Sequence, residues 1–180
     1  MHRDIQEIFL SQEQIQNKVK ELAAQLTEDY RDKKPVFVGV MKGVTLFFAD
    51  IVKNIDTHCQ IDFMWISSYK GTSSTNNIQV RADVSADLKG RHVVLLEDIY
   101  DTGRSVDFVI KHLQSKEPAS LKLCTLLDKP EGRLPGYDLK PDYTGFVIPN
   151  AFVVGYGLDY DEYYRNLPYI GILKPEVYEK

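Results

Sequence analysis

Three short runs of the chain are apolar almost without interruption: Pro35-Val36-Phe37-Val38-Gly39-Val40-Met41, His92–Leu96 and Leu121–Leu127. A strand with one wet face alternates apolar and polar residues, so runs like these must be buried on both faces. Helical periodicity fills the chain between them. Leu46, Phe47, Ile51, Val52 and Ile55 share one face of a helix from about Val44, and Val106, Val109, Ile110 and Leu113 fall at i, i+3, i+4 and i+7. Buried strands alternating with amphipathic helices specify an α/β fold: an open, mainly parallel twisted sheet with helices on both faces.

The flanking segments extend this pattern. Ser11 followed by Gln14 has the form of a capping box, and behind it Ile15, Val19, Leu22, Ala23 and Leu26 recur at helical spacing. A strand is expected around Gln60–Ser67. It is followed by a polar segment, Ser68 to Asn77, which contains Gly71, lacks apolar anchors and is expected to be a mobile loop. Asp128 to Pro141 holds three prolines and two glycines and reads as loop. Short strands are expected at Tyr143–Ile148, Phe152–Val154 and Tyr169–Leu173. There is no internal repeat.

At 180 residues the chain suits one compact domain, 1–180. Its net charge of −4 excludes a global attraction to nucleic acid or to an anionic membrane. No run approaches the roughly 20 apolar residues that span a bilayer. Met1-His2-Arg3-Asp4 leads into an amphipathic stretch without a signal-peptide core, so a cytoplasmic location is expected. Cys59 and Cys124 form no C-x-x-C pair and are expected to be buried free thiols. The four histidines have no metal-ligand spacing.

The chemistry concentrates in Val93-Val94-Leu95-Leu96-Glu97-Asp98-Ile99-Tyr100-Asp101-Thr102-Gly103-Arg104-Ser105. A buried strand ends in two carboxylates, a third acid follows, and Thr-Gly opens a helix. Ligands of open α/β sheets bind beyond the carboxyl ends of the strands, where these side chains project. The helix start offers free N–H groups to an anion, Gly103 permits close backbone approach, and Thr102 and Ser105 add hydroxyls. A phosphate suits that turn. Three carboxylates beside it need partners of their own, and a ribose diol and a hard divalent cation such as magnesium are the natural ones. Each acid taken singly reads as a solvated turn residue or helix cap; the three together before Thr-Gly do not. The chain lacks G-x-x-x-x-G-K-[ST], and Gly155-Tyr156-Gly157 has no third glycine at Tyr160, so neither a P-loop nor a dinucleotide fingerprint is present.

Leu96 to Ser105 resembles the phosphoribosyl-pyrophosphate signature of the type I phosphoribosyltransferases. Other segments resemble the hypoxanthine-guanine branch of that family in order along the chain: Gly39-Val40-Met41-Lys42-Gly43 its pyrophosphate loop, Ser67-Ser68-Tyr69 its flexible loop, and Leu126-Leu127-Asp128-Lys129 its purine-contacting segment. Phe152 to Tyr160, with Arg165, resembles its C-terminal hood. The resemblance implies a hood built from about 150–180 together with the N-terminal residues. It also implies Mg2+-dependent transfer of phosphoribosyl from phosphoribosyl pyrophosphate to a 6-oxopurine in purine salvage.

It implies residue roles as well. Glu97 and Asp98 hold the ribose hydroxyls and nearby magnesium, and Asp159 ligates a second magnesium. Asp101 accepts the proton of purine N7 as a general base. The backbone from Asp101 through Thr102, Gly103 and Arg104 to Ser105 holds the 5'-phosphate. Lys42, Gly43 and Arg165 face the pyrophosphate, and Ser68 and Tyr69 belong to a lid. Phe152 stacks on the base, Lys129 donates to its 6-oxo group, and main-chain atoms of Val153 and Asp159 meet its pyrimidine edge. Met41-Lys42 is often cis in this family, which usually forms dimers or tetramers. By pattern alone Phe152 reads as core and Lys129 as a solvated loop cation.

Two departures stand out: Asn150-Ala151 replaces an acid and a charged residue, and Arg104 occupies a variable position. The competing readings are a xanthine- or guanine-preferring transferase and an RNA-binding attenuator on the same fold. The Phe152-to-Asp159 hood, Lys129 and the net acidity argue against the second.

Overall fold

The computed structural model describes residues 1–69 and 77–179. In chain order the elements are β1 (Ile5–Leu10), α1 (Gln12–Asp29), β2 (Val36–Met41), α2 (Thr45–Asn54), β3 (Gln60–Tyr69), β4 (Asn77–Ala82), β5 (His92–Tyr100), α3 (Arg104–Gln114), β6 (Ser120–Asp128), β7 (Tyr143–Val147), β8 (Val153–Val154), β9 (Ile170–Leu173) and α4 (Pro175–Tyr178). The main sheet has the order β4-β3-β2-β5-β6-β7, parallel except for the antiparallel edge strand β4. A second, antiparallel sheet has the order β1-β9-β8 and joins the two ends of the chain.

The uninterrupted apolar runs are the central strands. Successive side chains point to opposite faces of a strand. Val36, Val38 and Val40 accordingly pack with Val93, Leu95 and the α3 residues Val106, Val109 and Leu113 on one side of the sheet. Phe37, Val94 and Leu96 pack with α1 and α2 through Ile15, Leu26, Phe47 and Ile51 on the other. The capping box at Ser11 forms fully, with Gln14 N donating to Ser11 Oγ and Ser11 N to Gln14 Oε1.

The order of the sheet decides where a ligand can bind. From β2 the chain moves outward to β3, whereas from β5 it moves the opposite way to β6. The two connections diverge between β2 and β5, which opens a crevice at their carboxyl ends. Met41-Lys42-Gly43 and Glu97 to Ser105 are the segments that leave those two ends.

Several expectations are corrected. β5 runs on to Tyr100, so Glu97 and Asp98 lie within the strand, held by the ladder to β6. Ser68 and Tyr69 end β3 and Asn77 begins β4 rather than being loop, because the three pair in the hairpin register Ser68↔Ile78 and Tyr69↔Asn77. Residues 70–76, the body of the expected lid, lie outside the described residues. β1 and β4 are additional strands: Gln6 and Glu7 interrupt the apolar residues of β1, β4 alternates Ile78, Val80 and Ala82 with polar residues, and each is paired to a neighbour. Cys124 is buried, but Cys59 is exposed, because it precedes β3 outside the core.

Candidate active site

A cleft of about 250 Å³ lies at the β2/β5 crevice, lined by Met41, Gly43, Glu97, Asp98, Asp101, Thr102, Gly103 and Ser105 among others. Its floor is the acidic end of β5. Glu97 is buried, and its Oε1 has no hydrogen-bond partner among the described residues. Burial and the neighbouring Asp98 charge push its carboxyl well above the usual range. Burial likewise pushes Asp98 up to about 6, with the N–H of Ile99 donating to its Oδ1 at 3.0 Å and Arg165 partly offsetting the shift. A buried acid with an orphaned oxygen lacks its counter-group, and a ribose hydroxyl or a divalent cation would supply one.

The β5–α3 turn forms the opposite wall. Gly103 caps α3 in a left-handed conformation (φ 93°), and a side chain at that position would also collide with Tyr137. Thr102, Arg104 and Ser105 are exposed around it, which leaves the first N–H groups of α3 free for an anion. Gly43 closes the third side, following the cis Met41-Lys42 peptide.

Asp101 and Lys129 meet beside this turn. Lys129 is buried, and its Nζ donates to Asp101 Oδ2 at 2.9 Å. Lys129 N donates to the carbonyl of Tyr100, which ties the end of β6 to the turn. Most of the remaining candidates come from the second sheet and its connecting loop, whereas Lys42 follows β2. Arg165 reaches Asp159 Oδ1 at 2.9 Å and donates to the Gly157 carbonyl. Asp159 Oδ2 accepts from Glu162 N at 2.9 Å. Lys42 pairs with Glu162 at 2.7 Å, and Arg165 approaches the same carboxylate at 3.4 Å. Val153 is buried in β8 opposite Ile172. Phe152 is 39% exposed, stacked on Tyr178 at 4.7 Å and edge-on to Tyr160.

Of the three acids expected to hold two metal ions, Asp159 lies near enough to Asp98 for its charge to raise the Asp98 pKa. Among the described residues no three acidic, cysteine or histidine side chains come close enough to cage a cation. Glu97 and Asp98 are adjacent, whereas Asp159 is held by Arg165 and by Glu162 N. A metal bound through one or two carboxylates and completed by substrate phosphates needs no cage, and the donor set fits that mode.

Pattern reading missed Glu162, which sits between two cations, Tyr178 behind an exposed ring, and Arg133, whose guanidinium binds the carbonyls around Asp101. Each lies in a loop or a terminal turn, where no periodicity marks it.

The profile of the phosphoribosyl transferase domain family matches residues 6–161. A hypoxanthine-guanine phosphoribosyltransferase of Streptococcus pneumoniae is 52% identical over 99% of this chain and 98% of its own length. That of Bacillus subtilis is 48% identical over 99% of each chain. The crystal structure of a hypoxanthine phosphoribosyltransferase from Staphylococcus aureus superposes with a TM-score of 0.94 at 50% identity, covering 100% of this chain and 97% of that one. No helix among the described residues is long and apolar enough to cross a membrane. With its acidic strand end and phosphate-type turn at the β2/β5 crevice, the chain belongs to the phosphoribosyltransferase family.

Proposed function

We propose that this enzyme salvages purines by transferring phosphoribosyl from phosphoribosyl pyrophosphate to N9 of hypoxanthine or guanine, releasing pyrophosphate. One observation carries the reading: Asp101 and Lys129 converge at 2.9 Å beside the anion-binding turn. N7 and the 6-oxo oxygen share one edge of a 6-oxopurine, so a carboxylate and an ammonium placed side by side suit that edge. Adenine would bring amine donors to the lysine instead.

The reaction breaks the bond from ribose C1 to a pyrophosphate oxygen, which departs with the electron pair, and forms the bond from C1 to N9. Positive charge grows on the sugar as negative charge grows on the leaving group. Catalysis therefore rests on placing the partners and stabilising both charges. Asp101 accepts the N7 proton as N9 becomes bonded, and the turn from Asp101 to Ser105 holds the 5'-phosphate. Gly43, Lys42 and Arg165 receive the pyrophosphate, whose charge competes with Glu162 for the two cations. Glu97 and Asp98 bind the ribose hydroxyls. Magnesium at Glu97 and Asp98, and a second ion at Asp159, would supply charge neutralisation to the departing pyrophosphate. Phe152 offers an exposed ring for the base, and backbone atoms of Val153 and Asp159 border its far edge. Ser68 and Tyr69 enter the reading as the start of a lid.

We take the whole chain as one domain with the β1-β9-β8 sheet as its hood, working in the cytoplasm as a homodimer or homotetramer. The exposed Ile61 and Trp65 on β3 support the assembly. The test is a panel of hypoxanthine, guanine, xanthine, adenine and uracil with phosphoribosyl pyrophosphate and magnesium, following pyrophosphate release. Hypoxanthine or guanine should be used and adenine and uracil rejected, with turnover abolished by chelator. Equal use of adenine would overturn the substrate class, and preferential use of xanthine would favour the alternative pocket.

A further inference from the structure

Arg133 joins the two loops that carry Asp101 and Lys129. Its side chain is 13% exposed and that of its ion-pair partner Asp128 is 16% exposed, with Nη2 donating to Asp128 Oδ1. Nη1 donates to the carbonyls of Tyr100, of Asp101 at 2.7 Å and of Lys129 at 3.2 Å. Arg133 Cζ lies 3.2 Å from the centroid of the Tyr100 ring. The next residue continues the attachment, with Leu134 N donating to the Thr102 carbonyl at 3.1 Å.

Burying a guanidinium is costly unless its charge is paired and its N–H groups are bonded. Asp128 supplies the charge through Nη2, and the three carbonyls gather on Nη1. Those carbonyls belong to two different loops. The residues whose backbones Arg133 grips, Asp101 and Lys129, are the two whose side chains meet at 2.9 Å. A planar fork of five donors can hold acceptors from two segments in one fixed relation, which a single ammonium cannot.

We propose that Arg133 is a positioning residue for the transfer. It holds the backbones of Asp101 and Lys129 in one relative placement, so that both side chains reach the same edge of a bound purine. The inference rests on the roles given to Asp101 and Lys129 above. The purine is rigid, so the separation of its N7 and 6-oxo contacts is fixed, and a small displacement of either loop misaligns one of them.

The test is a double-mutant cycle on the full chain with hypoxanthine, phosphoribosyl pyrophosphate and magnesium. Arg133→Lys keeps a charge for Asp128 but cannot span the carbonyls. It should lower kcat/KM for hypoxanthine about 10- to 100-fold, the scale of a small misplacement of reacting groups, with a nearly unchanged unfolding temperature. In an Asp101→Asn background the same exchange should cost several-fold less than in the wild type, because only the Lys129 contact then remains to be placed. Losses that multiply in full, or an Arg133→Lys enzyme at wild-type kcat/KM, would overturn the inference alone. Wild-type turnover in Asp101→Asn by itself would instead sink the general-base reading and the inference with it. Should Arg133→Lys fail to fold, Asp128→Asn, which releases the guanidinium from its anchor, enters the same cycle with the same outcomes.

Discussion

Gly43 lies so close to Asp98 that a methyl group on Gly43 would occupy the space of Asp98 Oδ2. On its other side the Gly43 carbonyl leaves no room for a side chain at Gly157. The loop after β2 is thus wedged between the acidic end of β5 and the segment after β8.

Gly43→Ala should therefore displace either the loop or the Asp98 carboxylate. Overpacking of this kind costs about 1–3 kcal/mol of stability. The larger effect should be catalytic, with kcat/KM for phosphoribosyl pyrophosphate falling about a hundredfold, as expected for misplaced binding groups. Steady-state kinetics beside a thermal melt would separate the two. An alanine enzyme with unchanged kinetics would show that the wedge has no part in substrate binding.

Asp98 makes stability depend on pH in a defined direction. Its pKa is pushed up from 3.8 to about 6, chiefly by burial, so the folded chain holds this proton more tightly than the unfolded chain. The contribution is full below about pH 4 and is lost as pH rises through about 6. Above pH 6 the charged carboxylate costs at most about 3 kcal/mol, at about 1.4 kcal/mol per pH unit. Asp98→Asn should then be more stable than wild type at pH 8 and no more stable at pH 4, as read by urea unfolding. Binding of phosphoribosyl pyrophosphate with magnesium should weaken below about pH 6, where the proton competes. A less stable Asp98→Asn at pH 8 would contradict this account.

Asp101→Asn should lower kcat by roughly 10²–10⁴, the usual scale for a lost general base. Asparagine can still meet Lys129 through its amide oxygen, and the turn to Ser105 is unchanged. Affinity for phosphoribosyl pyrophosphate should move much less, which equilibrium binding would measure. Near wild-type turnover would falsify the assignment.

Lys129→Gln should lose at least about tenfold in kcat/KM for hypoxanthine, since leaving the buried partners of a donor unpaired costs roughly 1–3 kcal/mol and 1.4 kcal/mol is one decade. Affinity for phosphoribosyl pyrophosphate should barely change. Equal loss of both substrates would make Lys129, buried against Asp101, a structural residue rather than a reader of the base.

The layered α/β architecture was legible because its cause is local. Val36 to Met41 and Val93 to Leu96 carry no polar residue to face water, and Val106, Val109 and Leu113 leave one apolar stripe. The phosphate turn was legible for the same reason: its acids, its glycine and its helix start are contiguous in the chain. In β1 Gln6 and Glu7 break any clear period, and pairing with β9 makes it a strand; β4 does alternate Ile78, Val80 and Ala82 with polar residues, but over six residues only, and β3 completes it.

What depends on separation in sequence was decided by the tertiary structure. The pairing of Asp101 with Lys129 spans 28 residues, and that of Lys42 with Glu162 spans 120. The strand order placed the ends of β2 and β5 side by side at the point where their connections diverge. Local composition determines whether a segment buries both faces, one face or none, because burial acts on each side chain where it stands. Which charged groups end as partners depends on the path of the backbone between them. Arg133 shows the difference: in sequence a lone cation in a proline- and glycine-rich loop, in the fold a partly buried fork holding three carbonyls and Asp128.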